Sequence, residues 1–177
     1  MSKKEIFPGI HTVTALLKFK PERIQSLWLE QQKQNKRLEP LIEKAHQLGI
    51  AIQPIERKKL DNLCEGTQHQ GIAASCSLTP LLDEHDLIEQ IKNTSQAPLL
   101  LILDEVNDPH NFGACLRSAD ATGVDAVIVP QRHSAPLSPT VHKVASGATI
   151  RLPIVKTSNL ARCMDCLLYT SPSPRDS

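Results

Sequence analysis

The sequence predicts an α/β fold in two successive units, and three observations carry that expectation. Short apolar runs alternate with segments of helical spacing in both halves of the chain. Two proline-bearing stretches, Leu78-Thr79-Pro80 and Ser95-Gln96-Ala97-Pro98, set the halves apart. Leu99 to Gly123 then passes from a buried-type strand through a polar turn into a helix of small residues. At 177 residues and 40% hydrophobic content, the chain has core enough for one domain or two small ones.

In the first unit, residues 1–77, a short helix is predicted over 10–19 and a strand over 26–30, followed by a polar, basic loop from Gln31 to Arg37. Leu38, Leu41, Ile42, Ala45 and Leu48 recur at helical spacing over 37–48, and Gly49 stands where a helix ends. A strand over 50–55, a charged helix over 56–64 and a strand of small residues over 71–77 complete a compact α/β pattern.

Residues 78–98 read as a linker carrying a helix with Leu81, Leu82, Leu87, Ile88 and Ile91. The second unit, 99–162, predicts strands at 99–106, 126–130 and 151–156 separated by helices at 112–122 and 138–146, a Rossmann-like parallel sheet. No GxGxxG follows a strand, which disfavours nicotinamide binding. After Arg162 no strand or helix pattern continues, and residues 163–177 read as a foreign or disordered tail.

The formal net charge is only +1, but it is unevenly spread: residues 1–80 hold 12 Lys and Arg against 8 Asp and Glu, and residues 81–177 hold 8 against 11. A mildly basic front half suits an RNA-facing module. No apolar run reaches the roughly 18 residues a membrane helix needs, and the N-terminus lacks a signal-peptide core, so a cytoplasmic location and no membrane partner are expected. Five cysteines without framework spacing point to reduced thiols. Cys163-Met164-Asp165-Cys166 lacks the further ligands zinc requires, so no metal site is expected.

Chemistry concentrates at Asn107-Asp108-Pro109-His110-Asn111, which breaks both periods beyond a strand's carboxyl end, where open α/β sheets bind ligands. Phe112, Cys115, Leu116 and Ala119 then share one helix face and leave Arg117 off the stripe. Asn111 stands at the expected helix start, where its side chain would cap free amides.

Asn111-Phe112-Gly113-Ala114-Cys115-Leu116-Arg117-Ser118-Ala119 resembles the first motif of the SpoU (TrmH-type) ribose 2′-O-methyltransferases, part of the knotted SPOUT superfamily. Asp104, Ala126-Val127-Ile128-Val129-Pro130 and Lys143-Val144-Ala145-Ser146-Gly147-Ala148 fit the same pattern. Gly9-Ile10-His11-Thr12-Val13 and His69-Gln70-Gly71-Ile72 resemble the substrate-binding domain of the branch that methylates a guanosine in 23S ribosomal RNA. The likeness covers roughly residues 5–162.

The resemblance implies a small ribosomal-protein-like α/β domain followed by an incomplete SPOUT domain, Rossmann-like and normally knotted. It further implies S-adenosyl-L-methionine as methyl donor, ribosomal RNA as partner, and a homodimer for the full-length protein. It places Arg117 and Asn111 at catalytic positions and puts His69 and Gln70 near the RNA, with Arg57, Lys58 and Lys59 as candidate phosphate contacts. Plainer readings exist for each: a solvated arginine, a pure helix cap, a strand-entry turn satisfying local backbone groups, and a solvated helix face. A guanidinium stays protonated, so Arg117 is better suited to electrostatic stabilisation than to acting as a base. The two later family motifs that grip the donor are absent from these 177 residues, so no cofactor-binding residue is assigned. The chain as it stands is expected to be inactive, with open sheet surface and strand edges beyond Leu99. The alternative is a non-catalytic RNA-binding fragment.

Lys33, Lys36, Arg37, Arg57, Lys58 and Lys59 outnumber the aromatics of the first unit, so its RNA binding is expected to be mainly electrostatic. RNA affinity in a filter-binding titration should fall as salt is raised; a constant unchanged from low to physiological salt would refute this.

Overall fold

The structure, a computed structural model, describes residues 4–31, 35–93 and 97–170, without the side chain of Thr170. Lys33 and the end of the tail, 171–177, lie outside the described residues.

In the first unit the elements are β1 (Lys4–Pro8), α1 (Ile10–Phe19), β2 (Ile24–Glu30), α2 (Glu39–Gln47), β3 (Ile52–Ile55), α3 (Arg57–Leu63) and β4 (Ile72–Ser77). They build a four-stranded mixed sheet in the order β1-β4-β2-β3, with β4 antiparallel to both its neighbours and β2 parallel to β3. The small residues of β4 are buried through Cys76 because helices cover both faces. Phe7, Leu16, Leu27, Ala45 and Ile72 form the core on one side, and Ile55, Leu60, Cys64 and Ala73 the core on the other. Strand β1 was not legible in the sequence, since Lys4, Glu5 and Pro8 break its apolar pattern. As an edge strand it accommodates all three.

The second unit holds α4 (Glu84–Lys92), β5 (Leu100–Ile102), α5 (Pro109–Ala121), β6 (Ala126–Pro130), α6 (Pro139–Ala145), α7 (Ala148–Arg151), β7 (Ile154–Thr157) and α8 (Leu160–Thr170). Its described sheet is parallel, in the order β5-β6-β7. Strand alternation sends Val127 and Val129 of β6 to a core with Phe112, Leu116 and Val141, and sends Ala126 and Ile128 to a core with Leu87, Cys163 and Leu167.

Four expectations need correction. The strand expected over 151–156 begins only at Ile154, because Arg151 still belongs to α7. Strand β5 is shorter than 99–106, because Glu105 turns the chain at φ 53° just beyond it. The helical pattern does not stop at Arg162: α8 runs from Leu160 to Thr170 and buries Cys163 and Leu167 against the sheet. The period escaped notice because only those two residues and partly buried Leu160 face inward, while Met164, Leu168 and Tyr169 face out. Both faces of β6 and β7 are therefore covered within this chain, whereas β5 is only half-buried and forms an edge of the described sheet. The outer edge of β7 is also paired, by the main chain of Leu82, which donates to Ile154 and accepts from Lys156.

The two units join at α6 and α7, and glycine makes the approach possible. A Cβ on Gly147, whose φ is +96°, would fall 2.7 Å from Cβ of Ala15 in α1. A Cβ on Gly113 would fall 2.7 Å from Cβ of Val144 and 3.0 Å from the Val141 carbonyl, so α5 lies directly on α6. At the joint, His142 is fully buried and stacks on Phe7 with ring centroids 3.8 Å apart. Its Nδ1 meets Thr149 Oγ1 at 3.0 Å. Its Nε2 has no hydrogen-bond partner, and the nearest carboxylate oxygen, Glu5 Oε2 at 3.7 Å, accepts from Thr79 and faces Arg23. Burial first, and the Arg23 charge second, push the His142 imidazole down to about 3, so the ring is neutral in the fold.

Two outcomes follow from this packing. Gly113→Val should destabilise the chain by about 1–3 kcal/mol through overpacking against α6, read as a lower urea midpoint; an unchanged midpoint would show that α5 and α6 are not in such contact. Because the His142 pKa lies below its ordinary value of 6.5, the unfolded state takes up the proton first as pH falls. Stability is full above about pH 6.5 and is lost toward pH 3, by about 1.4 kcal/mol per pH unit for one proton. His142→Gln should flatten that dependence by about one proton, and an identical slope in the variant would place the titration elsewhere.

Candidate functional site

The loops at the carboxyl ends of the three parallel strands gather at one end of the second unit. The loop after β5 carries Asn107 and the loop after β6 carries Arg132 and His133. The two are tied by a bond from the Ala135 amide to the Val106 carbonyl, 2.9 Å. Helix α5 begins here. Asp108 is its N-cap, accepting from the Asn111 amide at 2.7 Å, and Pro109 opens the first turn, where a missing N–H costs nothing. This corrects the capping role expected for Asn111: the residue sits one turn inside the helix, and its exposed side chain is left without a partner among the described residues.

Arg117 is exposed and makes no hydrogen bond or ion pair with the described residues. Helix geometry fixes its neighbours. It shares a stripe with His110, seven residues earlier, and with Gly113 and Asp120, whereas Asn111 is turned away by about 120° and displaced by about 9 Å along the axis. The structure therefore does not bring Asn111 and Arg117 to one point. Gly113 on the Arg117 stripe contacts α6, and Asp120 forms a two-point ion pair with Arg151 of α7, so Arg117 overlooks the α6–α7 joint.

The other expected residues divide into two groups. Arg57, Lys58 and Lys59 are all exposed on α3, with only a long i,i+4 contact of 3.8 Å between Arg57 and Asp61. His69, in contrast, is buried, and both ring nitrogens are engaged. Nδ1 accepts from the Gly71 amide at 3.0 Å, which leaves the proton on Nε2 to donate to Asp61 Oδ1 at 2.8 Å. Gln70, at φ 58°, turns its side-chain oxygen to the Ile10 amide at 3.2 Å and to Lys143 Nζ at 2.8 Å. Both residues thus hold the corner before β4, and Gln70 also ties the first unit to α6. Burial lowers the Lys143 pKa, a direction that suits a neutral amide partner. Sequence reasoning missed the joint residues His142, Thr149 and Glu5, because a lone histidine in a helical pattern carries no sign of the strand it will meet.

At the carboxyl ends of β6 and β7 lies an open cleft of about 370 Å³ lined by Pro130, Gln131, Arg132, His133 and Ser158. It presents the Arg132 guanidinium and no carboxylate.

Two family models match the chain. Residues 7–80 match the RNA 2′-O ribose methyltransferase substrate-binding domain, and residues 98–168 match the SpoU rRNA methylase family. Among curated relatives, the 23S rRNA (guanosine-2′-O-)-methyltransferase RlmB of Shewanella oneidensis is 52% identical over 164 residues, covering 93% of this chain and 66% of that protein. The enzyme of the same name from Escherichia coli K12 is 48% identical over 163 residues, covering 92% and 67%. Among solved structures, the SpoU methyltransferase AviRb from Streptomyces viridochromogenes, in complex with the cofactor AdoMet, superposes with a TM-score of 0.69 at 18% identity, over 94% of this chain and 58% of that one. That likeness speaks to fold. The chain spans about two thirds of the length of the curated relatives it matches.

Proposed function

This chain belongs to the SpoU rRNA methylase family, and we propose that it is the RNA-binding and catalytic-arginine portion of a 23S ribosomal RNA guanosine 2′-O-methyltransferase. The observation that carries the reading is Arg117: an exposed guanidinium, unpaired among the described residues, within the Asn111–Ala119 motif, on a helix launched from the carboxyl end of a parallel strand. S-adenosyl-L-methionine is the proposed methyl donor. No residue of this chain is assigned to hold it.

Methylation of a ribose 2′-hydroxyl requires the oxygen to be held in line and its developing negative charge to be stabilised. A protonated guanidinium supplies five fixed donors for that charge or for the adjoining phosphate, without leaving the charged state. Its freedom from protein partners leaves those donors available to RNA. Asn111, at the mouth of the strand-end loops, is proposed to contact the RNA separately, given its angular distance from Arg117. Arg57, Lys58 and Lys59 supply phosphate contacts from α3. A homodimer and a cytoplasmic location belong to the same proposal; no helix among the described residues is long and apolar enough to cross a membrane.

In a protein of the relatives' length, Arg117→Ala should reduce methyl transfer from labelled donor to 23S ribosomal RNA by about 10²–10³-fold, with the melting temperature unchanged. Wild-type transfer by that variant would remove Arg117 from the reaction. The 177-residue chain alone should show no saturable micromolar heat on titration with S-adenosyl-L-methionine.

A further inference from the structure

Phe19 ends α1 between two lysines, Lys18 and Lys20, at the joint of the two units. The other two phenylalanines, Phe7 and Phe112, are core residues, while Phe19 is 42% exposed. Its ring is held in place. The Arg151 guanidinium lies 5.1 Å from the ring centroid and is itself fixed by the two-point pair with Asp120. The Lys18 ammonium lies 5.0 Å from the same centroid and has no other partner among the described residues, so it is the cation an incoming group would replace.

A cleft of about 490 Å³ opens between the two units, a size that suits a small organic ligand; the Phe19 ring does not line it, but Lys20, next in sequence, and Arg151, whose guanidinium stands over the ring, both do. Lys20, Arg23 and Arg151 line it against a single carboxylate, Glu22, and Leu78, Pro80 and Pro153 give it an apolar wall. Arg23 is nine-tenths buried there. One terminal nitrogen bonds the Ser77 carbonyl and Thr79 Oγ1, both at 3.0 Å, and Nε has no partner. An exposed aromatic ring, an excess of cations and an apolar wall are the groups that a base, a phosphate and a sugar require, and none of them selects a paired helix.

We propose that this cleft binds an unpaired nucleotide of the RNA substrate, its base stacked on Phe19 and its phosphate between Lys20 and Arg151. The inference rests on the RNA reading above and adds a site to it. Arg151 is anchored to Asp120, which follows Arg117 by one turn on the same stripe of α5, so a strand entering at Phe19 leads toward Arg117. Specificity for an unpaired segment would then come from the joint between the units, while α3 contributes charge alone.

The test uses the 177-residue chain and two fluorescein-labelled probes, a short single-stranded oligouridine and an RNA duplex of equal length, followed by anisotropy. Phe19→Ala should weaken binding of the single strand by about tenfold and leave duplex affinity unchanged, and Lys20→Ala should weaken single-strand binding to a smaller degree. Phe19→Trp should keep wild-type affinity, with its emission quenched by the single strand; this variant and Lys20→Ala decide the matter should Phe19→Ala lower the melting temperature. Wild-type single-strand affinity in Phe19→Ala, or emission of Phe19→Trp indifferent to the probe, would overturn the site while leaving the RNA reading intact if Lys58→Ala weakens both probes. Failure of the unsubstituted chain to bind either probe would overturn the RNA reading and the site together.

Discussion

The buried stack of His142 on Phe7 is the contact from which the arrangement of the two units follows. It brings a helix of the second unit against an edge strand of the first, and Gly147 permits the accompanying approach of α7 to α1, while Gly113 seats α5 on α6 within the second unit. The imidazole is neutral because burial, and after it the Arg23 charge, disfavour the protonated ring even with Glu5 Oε2 3.7 Å from Nε2. Glu5, Thr79 and Thr149 then complete a polar cluster drawn from the first unit, the linker and the second unit in turn. The linker is accordingly part of the folded body: Thr79 bonds backward to β1, and Leu82 bonds forward along β7.

This joint explains why the motif Lys143 to Ala148 and the corner at His69 to Ile72 belong together although 73 residues separate Gln70 from Lys143. Both read as functional signatures, and both serve first as docking surfaces. The arginine they leave free is Arg117. Its neighbours on the stripe, Gly113 and Asp120, are spent on α6 and α7, so the helix is clamped on each side of a guanidinium that makes no hydrogen bond or ion pair among the described residues. Clamping the helix and freeing the side chain suits a group that must meet an external oxyanion without first breaking an internal pair.

Much of this was legible in the sequence, for identifiable reasons. Strand β6 and helices α1, α5 and α6 follow apolar periods, although the start of α5 at Pro109, capped by Asp108, lay three residues before the 112 expected. Arg117 declared itself by falling off the stripe. What escaped were features set by partners distant in the chain. Edge strand β1 needs β4 to be recognised, α8 shows only a narrow inward stripe, and His142 reveals its role only once Phe7 lies beneath it. His69 illustrates the converse. Its place in a recognised motif suggested contact with RNA, but its two ring nitrogens are consumed by Gly71 and Asp61.

The central claim is that the first unit and the helix bearing Arg117 form one body. Residual dipolar couplings measured on the amides of the 177-residue chain in weakly aligned solution test it directly. The account requires residues 4–31, 35–77 and 98–168 to fit a single alignment tensor with the relative orientation set by the α6–α7 joint. Two distinct tensors would contradict it, because the units would then move independently and His142 would not hold them together.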